Sequence, residues 1–307
     1  MSIKTFSLSV DVEDFFFNKK IADTYLGKGK KDYFGIPKII EIANQLDVKV
    51  TFFVDVENVE KIVSQKTIKE SCLIIFKSGH ELGLHTHPPI KKRGVYPGRV
   101  LCNYSFDYQY NFILNGARKI ESWTGYWPKS HRAGSYGANK ETYKALEKAG
   151  IFIDSSVFWD KRDFSFITAN YNNIHPFRYK KINILPVTSY FLKLNFLVKK
   201  IMINKKTDIE WCNKDELKSF IHSTNVSHID LFMHSDSLIN LSKNKGHFFN
   251  LNNLKEMIKT LKKDYEPIFI KDINYSVYRN LNKTTVPYNV LKYSVKDIKE
   301  IYLSKLF

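Results

Sequence analysis

Two histidines, His85 and His87, lie two positions apart at the end of a short apolar run, and their spacing suits metal chemistry. Residues i and i+2 of a β-strand point to the same side, so a strand ending here would present both imidazoles to one ion. Neutral imidazoles are common zinc ligands. The spacing therefore predicts half of a zinc site, although a polar loop with two chance histidines also fits it.

A group of carboxylates is the candidate for the other half. Asp11, Glu13 and Asp14 follow residues 5–10, which alternate and are rich in β-forming residues. Three carboxylates at one strand end repel each other unless a cation neutralises them, and a divalent metal does so. Asp11 and Glu13 share a face of the strand, and Asp14 joins them if the strand bends. A solvated acidic turn is the competing interpretation, which the flanking apolar residues disfavour.

The composition is that of a folded protein. The chain has 307 residues and 43% hydrophobic residues, enough for one large domain or two small ones. Its three cysteines have no CxxC spacing, which predicts neither a disulfide framework nor a cysteine metal site. The net charge of +17 comes from dispersed lysines rather than from an arginine-rich cluster. We therefore expect no nucleic-acid partner.

The sequence shows no secretion or membrane-span pattern. One lysine and a short apolar stretch precede the acids, unlike a signal peptide. Residues 182–203 are apolar but carry three lysines, too many for a spanning helix. We expect a cytoplasmic protein, with peripheral contact at the inner face of the membrane through the basic surface. Whether residues 193–206 contact a membrane or are solvated stays open, as does the oligomeric state.

Strand-like and helix-like segments alternate along the chain. Helical spacing is found in 36–46, 68–78, 108–123, 140–149, 215–223 and 253–261, and strand-like spacing in 5–10, 48–54, 81–85, 129–132, 151–153, 182–187, 229–233 and 267–270. This alternation predicts an α/β fold, a distorted (β/α) barrel of about seven parallel strands. We expect residues 1–280 to form the barrel domain and the Lys/Tyr-rich tail 281–307 to pack on it.

The chemical groups share one position in this scheme, directly after a predicted strand. The C-terminal ends of the strands form the active-site face of a βα barrel, so we expect groups from distant positions to converge there. These residues are Asp11, Glu13, Asp14, His85, His87, Arg132, Asp154 and His234.

Five short motifs, taken in order, resemble the polysaccharide deacetylase family (carbohydrate esterase family 4) over roughly residues 5–240. They span residues 9–14, 79–88, 131–137, 154–156 and 231–234, and residues 50–54 resemble that family's second strand. The resemblance implies a distorted (β/α) barrel and metal-dependent removal of N- or O-acetyl groups from sugars. By position, Asp11 would be the general base held by Arg132, and His234 the general acid oriented by Asp154. Substrate contacts are implied for Tyr136 and Trp159.

The resemblance also implies one divalent metal ion, with zinc as the expected ion. His85 and His87 would bind it together with either Glu13 or Asp14. The family's second metal histidine lies four residues after the first, where this chain has Pro89, so His87 must take its place.

The expected function is therefore a metal-dependent hydrolase that removes an acetyl group from an acetamido sugar in cell-surface glycan biosynthesis. One alternative is another TIM-like metal amidohydrolase, a class in which a His-x-His pair normally follows the first strand. Here the pair follows the third. The other alternative is a non-catalytic or catalytically degenerate glycan-binding protein, which the departure at Pro89 keeps open.

Overall fold

The structure is a computed structural model, and the statements below refer to the residues that it describes. These are 3–13, 25–27, 32–57, 63–89, 100–158, 175–195, 200–224, 226–240, 245–275 and 285–288. Two predicted site residues, Asp14 and Trp159, lie outside these ranges, as does most of the predicted tail.

Strands and helices alternate over most of the described chain. The strands are β1 (Thr5–Val12), β2 (Val50–Asp55), β3 (Glu81–Thr86), β4 (Ser130–Ala133), β5 (Ile153–Asp154), β6 (Phe177–Tyr179), β7 (Ile182–Ile184), β8 (Ser189–Asn195), β9 (Lys200–Lys206), β10 (His228–His234), β11 (Ile239–Asn240), β12 (Lys245–Gly246), β13 (Glu266–Pro267) and β14 (Thr285–Tyr288). The helices are α1 (Ile36–Gln45), α2 (Gln65–Lys77), α3 (Phe106–Thr124), α4 (Lys140–Lys148), α5 (Lys214–Ser223) and α6 (Phe248–Leu261).

A curled parallel sheet forms the centre of the molecule. Seven strands pair in parallel in the order β10-β1-β2-β3-β4-β5-β7, β6 adds an antiparallel edge, and β13 pairs with the start of β1. The predicted fold class, a distorted (β/α) barrel of about seven parallel strands, is confirmed. Because the strands are parallel, their carboxyl ends meet at one edge, as the site prediction requires.

Irregular backbone spans the gap between the two ends of this sheet. The Thr207 N–H donates to the Thr188 carbonyl at 3.0 Å, and the Phe232 N–H donates to the Thr207 carbonyl at 2.9 Å. On the other side, the Val187 N–H donates to the Val157 carbonyl at 2.8 Å. These bonds extend the hydrogen-bonded wall of the barrel beyond β10 through residues that belong to no regular strand of the sheet. The barrel is distorted because this part of the wall is irregular.

The strand sequences explain the two-sided burial. In β1 the apolar residues Phe6, Leu8 and Val10 alternate with the polar residues Ser7 and Ser9, and all five are buried. The apolar set packs in the main hydrophobic core with residues of α1. The polar set faces the barrel interior, where it meets other polar groups. The interior of this barrel is therefore lined with polar side chains.

Local capping sets several helix ends. The hydroxyls of Ser64 and Ser105 accept from backbone N–H groups three residues on, at the starts of α2 and α3. Asn139 and Thr142 form a reciprocal capping box at the start of α4. Gly125 ends α3 with a φ of 73°, a left-handed conformation that costs glycine little.

Most predicted elements are found within a few residues of their expected positions, and one region differs. Residues 193–206, left open as a loop or membrane contact, include most of the antiparallel hairpin β8–β9. Within the described part of the tail, β14 pairs in parallel with β8. The domain limits at residues 280 and 281 stay a prediction. Among the described helices none is long and apolar enough to cross a bilayer.

Candidate metal and acid–base site

Three of the predicted metal ligands come together at the carboxyl edge of the sheet. The candidate ligand atoms of Glu13, His85 and His87 all lie within 4.8 Å of one another. Glu13 directly follows β1, His85 lies in β3, and His87 follows β3. The His85 Nε2 lies 3.2 Å from the Glu13 carboxylate, and the His87 Nε2 also contacts it. The described residues thus supply two imidazoles and one carboxylate.

Burial makes this cluster costly without a cation. His85 and His87 are buried, and the Nδ1 atom of each ring is buried without a hydrogen-bond partner among the described residues. Unsatisfied buried polar atoms are rare and need a physical reason. Two nitrogens and an oxygen in one small, water-poor space suit a borderline ion such as Zn²⁺. The residues present therefore fit the predicted divalent metal.

The charges within the cluster depend on one another. Burial alone would raise the pKa of Glu13, but His87, His234 and His85 around it lower that pKa well below its ordinary value. Burial likewise opposes protonation of His85, but the nearby carboxylates of Asp11, Glu13 and Asp55 outweigh it and raise its pKa. The pocket therefore favours positive charge, which agrees with a cation site.

Asp11 and Arg132 form a buried ion pair beside this cluster. The Arg132 Nη1 donates to Asp11 Oδ1 at 2.8 Å, and Arg132 has no exposed surface. Its guanidinium also lies over the rings of Phe53 and Phe232, at 4.4 and 5.2 Å from their centroids. The predicted contact, in which Arg132 holds Asp11, is present in the structure.

His234 closes the site on the side opposite β3. It ends β10 and pairs in register with Asp11 of the neighbouring β1. Its Nε2 lies 3.4 Å from the Glu13 carboxylate, and its ring meets Phe232 edge-on at 4.9 Å. Burial would lower its pKa, but the hydrogen bond to Glu13 outweighs that effect and raises the pKa to about 9. A histidine near Asp11 and the metal cluster can donate a proton.

The role predicted for Asp154 is corrected. Its carboxylate accepts from the Ser156 hydroxyl at 2.7 Å and lies 2.8 Å from the His131 Nδ1, so it binds His131 rather than orienting His234. Asp154 pairs in register with His131, and adjacent strand residues face opposite sides. It is therefore turned away from the interior face on which Arg132 lies.

Tyr136 lies beside the site in an unusual backbone conformation. It and Ser135 both have positive φ, 59° and 53°, which is rare for residues other than glycine and often marks functional sites. Its hydroxyl accepts from the Lys206 Nζ at 3.2 Å, and its ring lies 5.0 Å from that of Phe158. Substrate contact by Tyr136 stays a prediction, as does that of Trp159.

Comparison with known proteins decides which family the chain resembles. Residues 31–152 match the family model described as polysaccharide deacetylase. Over these residues the chain is similar to polysaccharide deacetylases. The match includes His85, His87 and Arg132, while Asp11, Glu13 and His234 lie outside it. The resemblance drawn from the five short motifs is confirmed at the level of the family.

Three solved structures are similar to the chain, and the first of them supports the fold with a TM-score above 0.5. A proposed polysaccharide deacetylase from Mycobacterium smegmatis superposes with a TM-score of 0.53 at 14% identity, covering 100% of this chain and 93% of that one. A family 4 carbohydrate esterase from Streptomyces lividans, in complex with acetate, gives 0.47 at 10% identity, covering 91% and 98%. A family 4 pseudoenzyme from Bacillus anthracis gives 0.47 at 15% identity, covering 94% and 69%. A search of the curated proteins finds no significant match.

Three residues of the candidate site were missed by the sequence analysis. Asp230 in β10 contacts Arg132, Lys206 in β9 contacts Tyr136, and Asp55 at the end of β2 pairs in register with His85. A signal for Asp230 existed in the sequence, because residues 228, 230, 232 and 234 alternate polar or aromatic side chains with aliphatic ones. Asp55 also had a signal, because it directly follows the predicted strand 48–54. Lys206 resembles an ordinary surface residue in the sequence and left no such signal.

Proposed function

We propose that this protein is a metal-dependent hydrolase that removes the acetyl group from an acetamido sugar. One observation carries the proposal: the cluster of Glu13, His85 and His87 lies directly beside the Asp11–Arg132 pair and His234. Amide hydrolysis needs a polarised carbonyl, a base for water and an acid for the leaving nitrogen. Those three requirements correspond to the three groups at this strand edge.

Glu13, His85 and His87 would hold the ion. When bound, a divalent cation supplies a Lewis acid that polarises the acetamide carbonyl and lowers the pKa of a water. The side chains around it leave little room for competing solvent, because His85 is 2% exposed and His87 is 8% exposed. A water-poor pocket strengthens the electrostatic interactions on which the reaction depends.

Asp11 would accept the proton of the attacking water. The oxygen of that water then bonds to the acetamide carbonyl carbon. Arg132 fixes one carboxylate oxygen of Asp11 at 2.8 Å and holds Asp11 in place. An ionised carboxylate is the form that can act as a base.

His234 would deliver a proton to the sugar nitrogen as its bond to the carbonyl carbon breaks. The products are then acetate and a free amino sugar. Its position fits this step, since Asp11 and His234 lie on neighbouring strands at the same register and frame one space from two sides. The base and the acid thus belong to different residues.

We further propose a cytoplasmic location at the inner face of the membrane and a substrate from cell-surface glycan biosynthesis, such as a nucleotide-sugar or a lipid-linked oligosaccharide. The net charge of +17 supports attraction to anionic lipids and anionic sugar carriers. Cell fractionation at low and high salt tests the location, and a protein that stays in the soluble fraction at both salt levels contradicts membrane contact.

The function is tested by acetate release from acetylated amino-sugar oligomers and from a nucleotide-linked acetamido sugar. We expect zinc-loaded protein to release acetate, and chelated protein or Asp11→Asn to release none above background. Asp47→Asn is the matched control, because Asp47 is fully exposed and lies 3.9 Å from Lys262. Acetate release that survives both chelation and Asp11→Asn contradicts the proposal. Sugar binding without release indicates a glycan-binding protein.

A further inference from the structure

A second carboxylate, that of Asp230, binds Arg132 through a different guanidinium nitrogen from the one that binds Asp11. The Arg132 Nη2 donates to Asp230 Oδ2 at 3.0 Å, while its Nη1 donates to Asp11 at 2.8 Å. Asp230 and Arg132 have no exposed surface, and Asp11 has almost none. The guanidinium is therefore a bridge between two carboxylates, one at the site and one deeper in the barrel.

Asp230 is itself fixed by hydroxyl groups of β1. The Ser7 hydroxyl donates to one of its carboxylate oxygens at 2.7 Å, and the Ser9 hydroxyl donates to the other at 2.8 Å. Ser9 also accepts from the Arg132 Nη2 at 3.1 Å. Because each oxygen of Asp230 has a partner, the carboxylate cannot rotate without breaking a buried hydrogen bond.

The remaining donors of Arg132 complete the arrangement. Its Nη2 donates to the Ser155 hydroxyl at 2.8 Å, and its Nε donates to the Ser155 carbonyl at 3.1 Å. Only Nη1 contacts Asp11, the residue at the reacting end. The orientation of that one donor therefore depends on the partners at the other end of the guanidinium, and Asp230 is the only charged one among the described residues.

We infer that Asp230 is a positioning residue, which acts through Arg132 to set the place of the Asp11 carboxylate. The expected effect on kcat rests on the proposed function. The expected effect on the geometry of Arg132 and Asp11 does not. Without the Asp230 charge, Asp11 is the one carboxylate among the described partners that attracts the guanidinium, which favours a tilt toward Asp11 and contact with both of its oxygens. That change would move the carboxylate and occupy the oxygen that must accept a proton. Both effects lower kcat and leave sugar binding unchanged.

Asp230→Asn tests the inference with little change of shape. The asparagine oxygen can still accept from Arg132, and the serine hydroxyls can rotate to accept from its amide. We expect kcat to fall by about 10- to 100-fold, as small misplacements of catalytic groups do, with KM and zinc affinity unchanged. A fall in thermal stability with unchanged kcat would instead show a merely structural role and overturn the inference.

Glu81→Gln is the matched control. Glu81 is also a buried carboxylate, and it accepts from Thr51, from Ser130 and from the backbone of Lys271. It starts β3, so it lies at the opposite end of the barrel from the site. We expect it to lower stability as much as Asp230→Asn does and to leave kcat unchanged. An equal kcat loss in both variants would attribute the effect to general destabilisation and overturn the inference.

A double-mutant cycle with Arg132→Gln separates action through Arg132 from direct action. If Asp230 acts only through Arg132, adding Asp230→Asn to Arg132→Gln changes kcat no further. Multiplicative losses contradict the inference. Should Asp230→Asn fail to fold, Ser9→Ala removes one hydrogen bond from Asp230 and one from Arg132, and we expect a smaller kcat loss with unchanged KM.

A crystal structure of Asp230→Asn gives a readout that does not depend on turnover. We expect the single contact between Arg132 Nη1 and Asp11 to be lost or replaced by two contacts. An unchanged Arg132–Asp11 geometry overturns the inference, even if the protein deacetylates sugars. If the wild-type protein releases no acetate from any sugar, the proposed function fails, and this structure still decides the role of Asp230.

Discussion

The ring of His87 occupies the space that a side chain at Gly134 would need. A Cβ built on Gly134 would meet three atoms of the imidazole far inside van der Waals contact. Gly134 begins the short 3₁₀ turn that follows β4, so the backbone of one strand end supports a candidate ligand from another. His87 can reach Glu13 because residue 134 has no side chain.

Gly134→Ala should therefore lower zinc affinity. The new methyl group must displace the His87 ring, and the donor set loses one of its three members. We expect the dissociation constant for zinc to rise by about 10- to 100-fold, the range seen when groups that orient metal ligands are altered. Competition with a chromophoric chelator measures it.

Gly116→Ala is the control for crowding at a buried glycine. Gly116 lies on α3, away from the metal cluster. A Cβ built on it would lie 2.7 Å from the end of the Leu84 side chain. Gly116→Ala should lower the free energy of unfolding and leave the zinc affinity equal to that of the wild type. If Gly134→Ala binds zinc with wild-type affinity, His87 is not a ligand.

Zinc should stabilise the folded protein through Glu13 rather than through Asp14. A ligand that binds only the folded state at 100 times its dissociation constant raises the free energy of unfolding by about 2.7 kcal/mol. We expect zinc to raise the melting temperature of the wild type and of Asp14→Asn, and to leave that of Glu13→Gln nearly unchanged. Differential scanning calorimetry measures the shift, and the reverse pattern would assign the ligand to Asp14.

The sequence predicted the positions of the site residues better than their partners. A strand end followed by polar residues reveals which groups reach the active-site edge, so Asp11, Arg132 and His234 were placed correctly there. A hydrogen-bond partner also depends on which face of the strand a residue occupies. In the two-residue strand β5 no alternation is visible in the sequence, so the sequence could not show that Asp154 binds His131 rather than His234.

The hairpin β8–β9 shows a second limit of the sequence. Its lysines alternate with apolar residues, and the same pattern fits a solvated loop, an edge hairpin or a membrane-contacting segment. The structure resolves this through pairing partners far along the chain, since β8 lies between β9 and β14. Long-range pairing of this kind leaves no local signature. The alternation of residues 228–234 indicates that Asp230 lies on the same face as His234, but its role depends on Arg132, a partner far along the chain.

His234→Gln should remove the general acid while leaving the metal cluster intact. Glutamine keeps hydrogen-bonding capacity but cannot donate a proton to the leaving nitrogen, and loss of such a group costs about 10²- to 10⁴-fold in rate. We expect that loss in kcat for acetate release. The zinc-dependent rise in melting temperature serves as the internal control and should match the wild type. A variant with wild-type kcat would exclude His234 as the acid.

The buried His228 should make the protein lose stability in mild acid. Its Nδ1 lies 2.9 Å from the Thr5 hydroxyl and its Nε2 lies 3.2 Å from the Ser7 hydroxyl. Burial, with a further contribution from His175, lowers the pKa of His228 to about 3, against 6.5 for an ordinary histidine. Below pH 6.5 the unfolded chain therefore binds a proton that the folded protein does not. The free energy of unfolding therefore decreases as the pH is lowered toward about pH 3, by up to ~1.4 kcal/mol for each pH unit.

Urea denaturation from pH 7.5 to 4.5 measures this effect as a difference between variants. His228→Gln keeps hydrogen bonds to the two hydroxyls but cannot titrate, so its free energy of unfolding should fall less steeply with decreasing pH than that of the wild type. His222→Gln is the control, because His222 is exposed on α5 and should give the wild-type slope. Equal slopes for His228→Gln and the wild type would mean that His228 binds a proton in the folded protein as readily as in the unfolded chain.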